Sequence, residues 1–346
     1  MNPMVWALLI TAISTSTILV ASSHHWLIAW LGLELNTLSI LPVIMKPNHP
    51  RATEASTKYF LVQTTAATMI LLAGTLNTWQ TGQWSITHTL SPCATALFTA
   101  AIMLKLGLAP THLWYPDVLQ GSTTNTALLL STWQKVAPLT LLLLMSNHLS
   151  PLILMSLGLT SALAGGWLGL NQTQMRKLLA ASSIAHMGWL ITALTINPAL
   201  MTLTLLTYII ITATVFTHMS TTETKTLPDM STTWTHSPAL LPTTMLALIS
   251  LGGLPPTTGF MPKWLILKDT VFTELTPFAL ALLLASLPSL FFYLRVMYLT
   301  TLTIPPATTN SKHKWRMKTD LQKALTPLMT LAILLLPLTP TLYNTM

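Results

Sequence analysis

The sequence predicts an all-α, polytopic membrane protein of about eleven transmembrane helices, built as two inverted five-helix repeats that each contain a broken helix. Three observations carry that prediction. First, only 7% of the 346 residues are charged while 51% are hydrophobic, against roughly 25% charged in a soluble domain. The mean hydropathy is +0.61. Second, the apolar runs are long and continuous instead of alternating, which reads as helices whose backbones satisfy themselves in hydrocarbon. Third, one interrupted apolar run occurs twice. Gly107-Leu108-Ala109-Pro110-Thr111 is answered by Gly253-Leu254-Pro255-Pro256-Thr257, with Phe260 and Pro262 at the places of Trp114 and Pro116, all at an offset of 146. Paired segments broken by Gly and Pro in two halves are the sequence mark of a transporter-type ion path.

Taken in order, the spans are expected at 3–22, 26–45, 57–78, 93–112, 124–145, 150–170, 178–196, 199–219, 238–258, 276–299 and 324–343. The fourth carries the first break, near 105–116, and the ninth carries the second, near 251–263. Gly165, Gly166 and Gly169 give the sixth a small-residue face for helix packing. The whole chain reads as one membrane domain: a first repeat over 1–148, a second over 149–300, and a basic loop with a C-terminal helix over 301–346. No cleavable signal peptide is expected, since the apolar N-terminus begins at Pro3 with no basic region ahead of it. The Thr/Leu bias reads as compositional drift.

Basic residues set the orientation. Lys46, Arg51, Arg176, Lys177, Lys225, Lys312, Lys314, Arg316, Lys318 and Lys323 fall on the N-terminal side, against Lys268 on the other. Lys58 and Arg295 lie near the basic side as anchors, with Lys58 also a candidate for the path. This bias accounts for the net charge of +8 as membrane orientation, with no soluble domain to offer a nucleic acid. The fourth and ninth spans are five apart, so the two breaks run in opposite directions, and the repeat is inverted.

Four ionisable residues stand inside spans or at a break: Glu34, Lys105, Lys135 and Lys263. Each costs about 2.5–3.5 kcal/mol at the bilayer centre, so each should face protein interior or water. Burial disfavours the charged form and an opposite charge restores it, which is the balance a proton relay needs. Were the second and fourth spans to bring Glu34 and Lys105 to about 4 Å, the attraction would be roughly 4 kcal/mol. His112 lies seven residues after Lys105, and His186 sits in the seventh span. Each residue also has a purely structural reading. Glu34 can brace two helices, the lysines can snorkel to an interface, and the histidines can pack with ordinary hydrogen bonds. His24, His25 and His49 read as loop or interface residues.

Enzymatic constellations are missing from the sequence. There is no P-loop, no GxGxxG before a helix, no CxxC and no HExxH. The single cysteine, Cys93, excludes an intrachain disulfide and a thiolate metal cluster, and no metal, quinone or flavin site can be argued from these residues.

The residues also carry a resemblance over essentially the full length. Its marks are Asn2-Pro3, Ser23–Trp26 leading to Trp30 and Glu34, and Pro50-Arg51-Ala52-Thr53-Glu54-Ala55-Ser56-Thr57-Lys58-Tyr59-Phe60-Leu61. Met103–Pro110, Thr132-Trp133-Gln134-Lys135, Gly165-Gly166-Trp167, Leu170-Asn171-Gln172-Thr173-Gln174, Ser182–Trp189 and Gly252–Trp264 complete it. The chain resembles the antiporter-like membrane-arm subunits of mitochondrial NADH:ubiquinone oxidoreductase. That resemblance implies a proton-translocating core subunit in the mitochondrial inner membrane, with the N-terminus in the matrix and the C-terminus in the intermembrane space. Glu34, Lys105, Lys135 and Lys263 match the family's proton-pathway positions, and His112 and His186 match accessory ones. It implies that FMN, iron–sulfur clusters and ubiquinone belong to the rest of the complex, with none bound here. Its partners would be other membrane-arm subunits and membrane lipids, cardiolipin among them. Some family members carry three further N-terminal helices that this chain starts without, which leaves the flank of the first bundle to neighbours or lipid. A free-standing cation/proton antiporter and a structural spacer of the membrane arm remain the alternatives. Only the spacer is disfavoured by the buried charges themselves.

Overall fold

The computed structural model describes residues 3–86, 91–236, 239–255, 257–302 and 325–345. Within them the regular elements are helices joined by short turns and loops, with two isolated bridges, His25 to Ser85 and Gln174 to Thr226. It forms two compact units, Met1–Leu157 and Gly158–Met346. Among the described residues eight helical runs are long and apolar enough to cross a membrane, one of them the joined run Thr124–His148, with three shorter apolar helices beside them. The basic stretch from Lys312 to Lys323 lies outside the described residues.

In the first unit, α1 (Pro3–Ala21) packs on α2 (Trp26–Met45), and α2 packs on α3 (Pro50–Thr81). Helix α3 is the unit's post, touching α2, α4 (Pro92–Leu106) and the short α5 (Trp114–Gly121). Two histidines begin these helices. His25 Nδ1 accepts from the amide of Leu27, and His49 Nδ1 from that of Arg51, which satisfies a donor that every helix start leaves over. Because His49 caps α3, that helix starts at Pro50, seven residues before the span expected at 57. Arg51, Glu54 and Lys58 are therefore helical. The fifth expected span is two helices, α6 (Thr124–Ser131) and α7 (Trp133–Met145). At the joint Thr132 donates its hydroxyl to the Leu128 carbonyl. Pro138 within α7 then denies the Gln134 carbonyl its usual donor, so the backbone on both sides of Lys135 is irregular.

In the second unit α10 (Pro198–Thr222) is central. It packs on α9 (Met175–Ile196), α12 (Leu240–Gly252), α13 (Phe260–Phe272), α15 (Leu325–Leu334) and α16 (Thr339–Thr345). Helix α14 (Thr276–Leu302) packs on α12, α13, α9 and α11 (Leu227–His236). Arg295 of α14 donates to the carbonyl of Leu170, just past the end of α8 (Pro151–Gly169).

Both interrupted runs break at the same place. Helix α4 ends at Leu106 and α12 at Gly252, and α5 and α13 begin at Trp114 and Phe260; each pair is again 146 apart. The stops are equivalent in detail. Gly107 (φ 70) and Gly253 (φ 78) take the left-handed conformation. The Leu108 amide bonds back to the Met103 carbonyl, and the Leu254 amide to the Ile249 carbonyl. This is the glycine-terminated helix end that a side chain opposes.

Threonine and serine decorate the spans without making them polar. Thr65, Thr68 and Thr75 of α3 donate to the carbonyls of Val62, Thr65 and Leu72. Many others do the same three or four residues back, so those hydroxyl protons do not face lipid unpaired.

The left-handed stop gives a test. At Gly253 a Cβ would also stand 2.8 Å from Cδ of Lys263, and the conformation itself costs an L-residue about 1–2 kcal/mol. Gly253→Ala should lower the thermal inactivation temperature of the assembled membrane protein, while Gly82→Ala, with open space around it, should lower it less. Equal effects would show that the contact with Lys263 does not matter.

Candidate functional site

Each unit holds ionisable groups at its break, buried in the first and half-buried in the second, and each arranges them differently. In the first unit Lys105 occupies the last turn of α4 and Lys135 the first turn of α7. Only 6% and 3% of their surfaces are exposed, and both line one cavity with Asn36, Tyr59, Gln63 and Gln134. The space in it open to water is about 20 Å³, enough for a water molecule.

The walls are polar and linked. The Tyr59 hydroxyl donates to Gln134 Oε1 at 3.4 Å, and Gln134 Nε2 donates to Asn36 Oδ1 at 3.1 Å. Gln63 Nε2 donates to the Lys105 carbonyl at 3.4 Å, serving an acceptor that the helix end leaves over. The Lys135 ammonium stands 4.8 Å from the centroid of the Tyr115 ring, a cation–π distance. The Lys105 ammonium is buried without a hydrogen-bond partner.

Glu34 lies on α2, with its Oε2 buried and likewise unpartnered. The close contact entertained for Glu34 and Lys105 is not formed. Among the described residues the ion pairs are those of Lys58, with Glu54 at 2.8 Å and Asp117 at 3.0 Å. Glu34 also stays out of the lining of the lysine cavity, as does His112, whose Nδ1 is buried without a partner.

In the second unit Lys263 lies on the first turn of α13 and reaches back across the break. Its Nζ donates to the Gly252 carbonyl at 2.8 Å, so the ammonium caps the C-terminus of α12, where a cation is favoured by the helix dipole. The sequence showed this lysine on the far side of its break compared with Lys105; the long side chain makes up the distance. Lys263 also stands 5.8 Å from the Trp189 ring centroid. It shares a cavity of about 30 Å³ with His186, Thr204, Thr207 and Tyr208, where His186 and Tyr208 have ring centroids 5.5 Å apart.

Sequence reasoning missed two groups of residues. Asn36, Gln63 and Gln134 are neutral, so a search for charges passes over them; an amide in an apolar run was the available signal. His218 is fully buried on α10, and neither ring nitrogen has a partner. It carries the mark that singled out His186, a lone histidine within a span.

A buried lysine at one helix break and a half-buried lysine at its match, inside units built of membrane-length helices, define a multi-pass membrane protein of the broken-helix type. Comparison with known proteins agrees. The model for "NADH:quinone oxidoreductase/Mrp antiporter, TM" matches residues 23–291, and that for "NADH dehydrogenase subunit 2 C-terminus" matches residues 290–343. The NADH-ubiquinone oxidoreductase chain 2 of Carassius auratus is 52% identical over 98% of both chains, and that of Struthio camelus 49% over 98% of both. The chain belongs to the NADH:quinone oxidoreductase/Mrp antiporter transmembrane family, in its NADH-ubiquinone oxidoreductase chain 2 branch. A chain of respiratory complex I from Thermus thermophilus with bound aureothin superposes with a TM-score of 0.82 at 28% identity, covering 95% of this chain and 79% of that one. A chain of an archaeal membrane-bound sulfane sulfur reductase shares the fold, with a TM-score of 0.85 at 17% identity over 98% of this chain and 74% of that one.

The amide bridge is open to test. Gln134→Leu removes the group that joins Tyr59 to Asn36 and leaves buried polar atoms unpaired, a cost of about 1–3 kcal/mol. A thermal shift should register that loss, with Gln134→Glu keeping an acceptor for Tyr59. A melting profile unchanged in Gln134→Leu would mean the bridge carries no stability.

Proposed function

We propose that this chain moves protons across the mitochondrial inner membrane as an antiporter-like subunit of NADH:ubiquinone oxidoreductase. Glu34, Lys105, Lys135 and Lys263 form its path, with His112 and His186 as accessory groups. The observation that carries the reading is the pairing of Lys105 and Lys135 in one water-sized, amide-lined cavity. A structural lysine in hydrocarbon would be matched by a carboxylate or would snorkel. Lys105 is buried and makes neither a direct ion pair nor a hydrogen bond through its ammonium among the described residues. In the second half the Lys263–His186 cavity offers the corresponding step. A spacer needs no such groups, which disfavours that alternative, and the relatives' names disfavour a free-standing antiporter.

The redox chemistry belongs to other subunits, which carry the FMN, the iron–sulfur clusters and the ubiquinone. Other membrane-arm subunits, and lipids such as cardiolipin, cover the outer faces of the helices. The two repeats, 1–148 and 149–300, run in opposite senses, the N-terminus faces the matrix and the C-terminus the intermembrane space. The distribution of lysine and arginine supports that orientation.

Proton release needs partners that meet and part. Glu34 and Lys105 lie in one unit, each with a buried polar atom that has no hydrogen-bond partner, and were they to pair, removing one would neutralise the other. Glu34→Gln and Lys105→Met should each lower the protons moved per NADH in assembled complex, and the double variant should be no worse than either. Independent, multiplicative defects would show that the two do not work as a pair. The orientation is checked separately by trypsin, which should cut between Lys312 and Lys318 in inside-out membranes and spare intact mitoplasts. Cutting from the outer face would reverse it.

A further inference from the structure

Helix α5 is only eight residues long, too short to hold its shape unaided, because helix nucleation is costly and isolated short helices are marginal. Its first residue follows Leu113, which makes no side-chain cap. Three contacts seat it on α3 instead. Asp117 takes the Lys58 ammonium at 3.0 Å. Trp114 meets Tyr59 edge to face, with ring centroids 5.9 Å apart. Gly121 lies so close to α3 that a Cβ there would stand 2.6 Å from both Ala55 Cβ and the Arg51 carbonyl oxygen. The inner side of α5 then presents Tyr115, packed at right angles on Trp114 with centroids 5.5 Å apart, and Tyr115 lies beneath the ammonium of Lys135.

We propose that Asp117 is a positioning residue for Lys135: its ion pair with Lys58 seats α5 on α3, and that seat fixes the Tyr115 ring against the Lys135 ammonium. The inference rests on the role proposed above for Lys135. It gives the surface charges Glu54, Lys58 and Asp117 a part in the buried site without placing any of them on the proton path. The ion pair is partly exposed, and such a pair alone contributes little to global stability. Its effect is local, confined to one eight-residue helix. Lys58 bonds both Glu54 on its own helix and Asp117 on α5. A lysine drawn away toward Glu54 would release α5, and the ring with it.

The experiment uses the assembled complex in membranes. Labelling of Lys135 by a small membrane-permeant amine reagent, read by mass spectrometry, reports whether the ring still covers the ammonium. Protons moved per NADH are measured on the same preparations. Asp117→Asn should raise Lys135 labelling about fivefold, the lower end of ordinary coupling between sites, and lower the proton yield. Asp117→Glu, which keeps the charge, should restore both, a rescue that a merely space-filling role would not give. Lys58→Met breaks the same pair from the α3 side and should behave as Asp117→Asn does, which keeps the test alive if the latter fails to assemble. Wild-type labelling in Lys58→Met or Asp117→Asn, or failure of Asp117→Glu to restore it, overturns the proposal. Raised labelling with an unchanged proton yield would instead uphold the seat and overturn the assignment of Lys135 to the proton path.

Discussion

A helix that stops inside a hydrocarbon layer leaves its last carbonyls without donors, and no lipid can supply them. Everything specific to this chain follows from how it meets that constraint twice. Each stop turns the last residues back on themselves through a left-handed glycine, Gly107 or Gly253, and then finds one further donor for the carbonyls that remain. In the first unit the donor is the Gln63 amide, a neutral group from a neighbouring helix. In the second it is the Lys263 ammonium. The neutral donor leaves Lys105 free of the backbone, whereas the charged donor ties Lys263 to it. Two copies of one interruption thus hold their cations in different states of engagement.

Much of this was legible in the residues. The repeat at offset 146 pointed to both interruptions, near 105–116 and near 251–263, because glycine at a helix end and proline after it have a direct backbone meaning. Long apolar runs located the spans for the same kind of reason, and α2 begins and ends where the sequence places it. What the sequence hid were the elements that come after a stop. Helices α5, α11 and α13 are short and of mixed polarity, and hydropathy absorbs them into loops or into the tail of the preceding span. The joint at Thr132 was hidden for the opposite reason: nothing in an apolar run marks a threonine whose hydroxyl joins its own amide on the Leu128 carbonyl.

The candidate site was legible by charge and illegible by partnership. Glu34, Lys105, Lys135 and Lys263 announce themselves because each is costly where it stands. Their company cannot be read from spacing. That Lys105 shares a cavity with Lys135 while Glu34 stays outside its lining depends on α3 and α7 meeting α4 from two sides, and such meetings are settled by packing over the whole unit. The amides of Asn36, Gln63 and Gln134 complete the cavity wall. They are inexpensive enough to escape notice and polar enough to keep a water.

The threonines deserve a different reading from the drift that composition suggested. Because their hydroxyls return to the carbonyls of their own helix, threonine is sterically a valine and electrically closed. A lineage can exchange the two along a lipid-facing surface with little consequence for insertion. The chain can therefore change much of its outer lettering while its interior amides and ammonium groups stay where they are. Divergence on that surface would track mutational supply more than selection, and relatedness measured there would age faster than the mechanism it encloses.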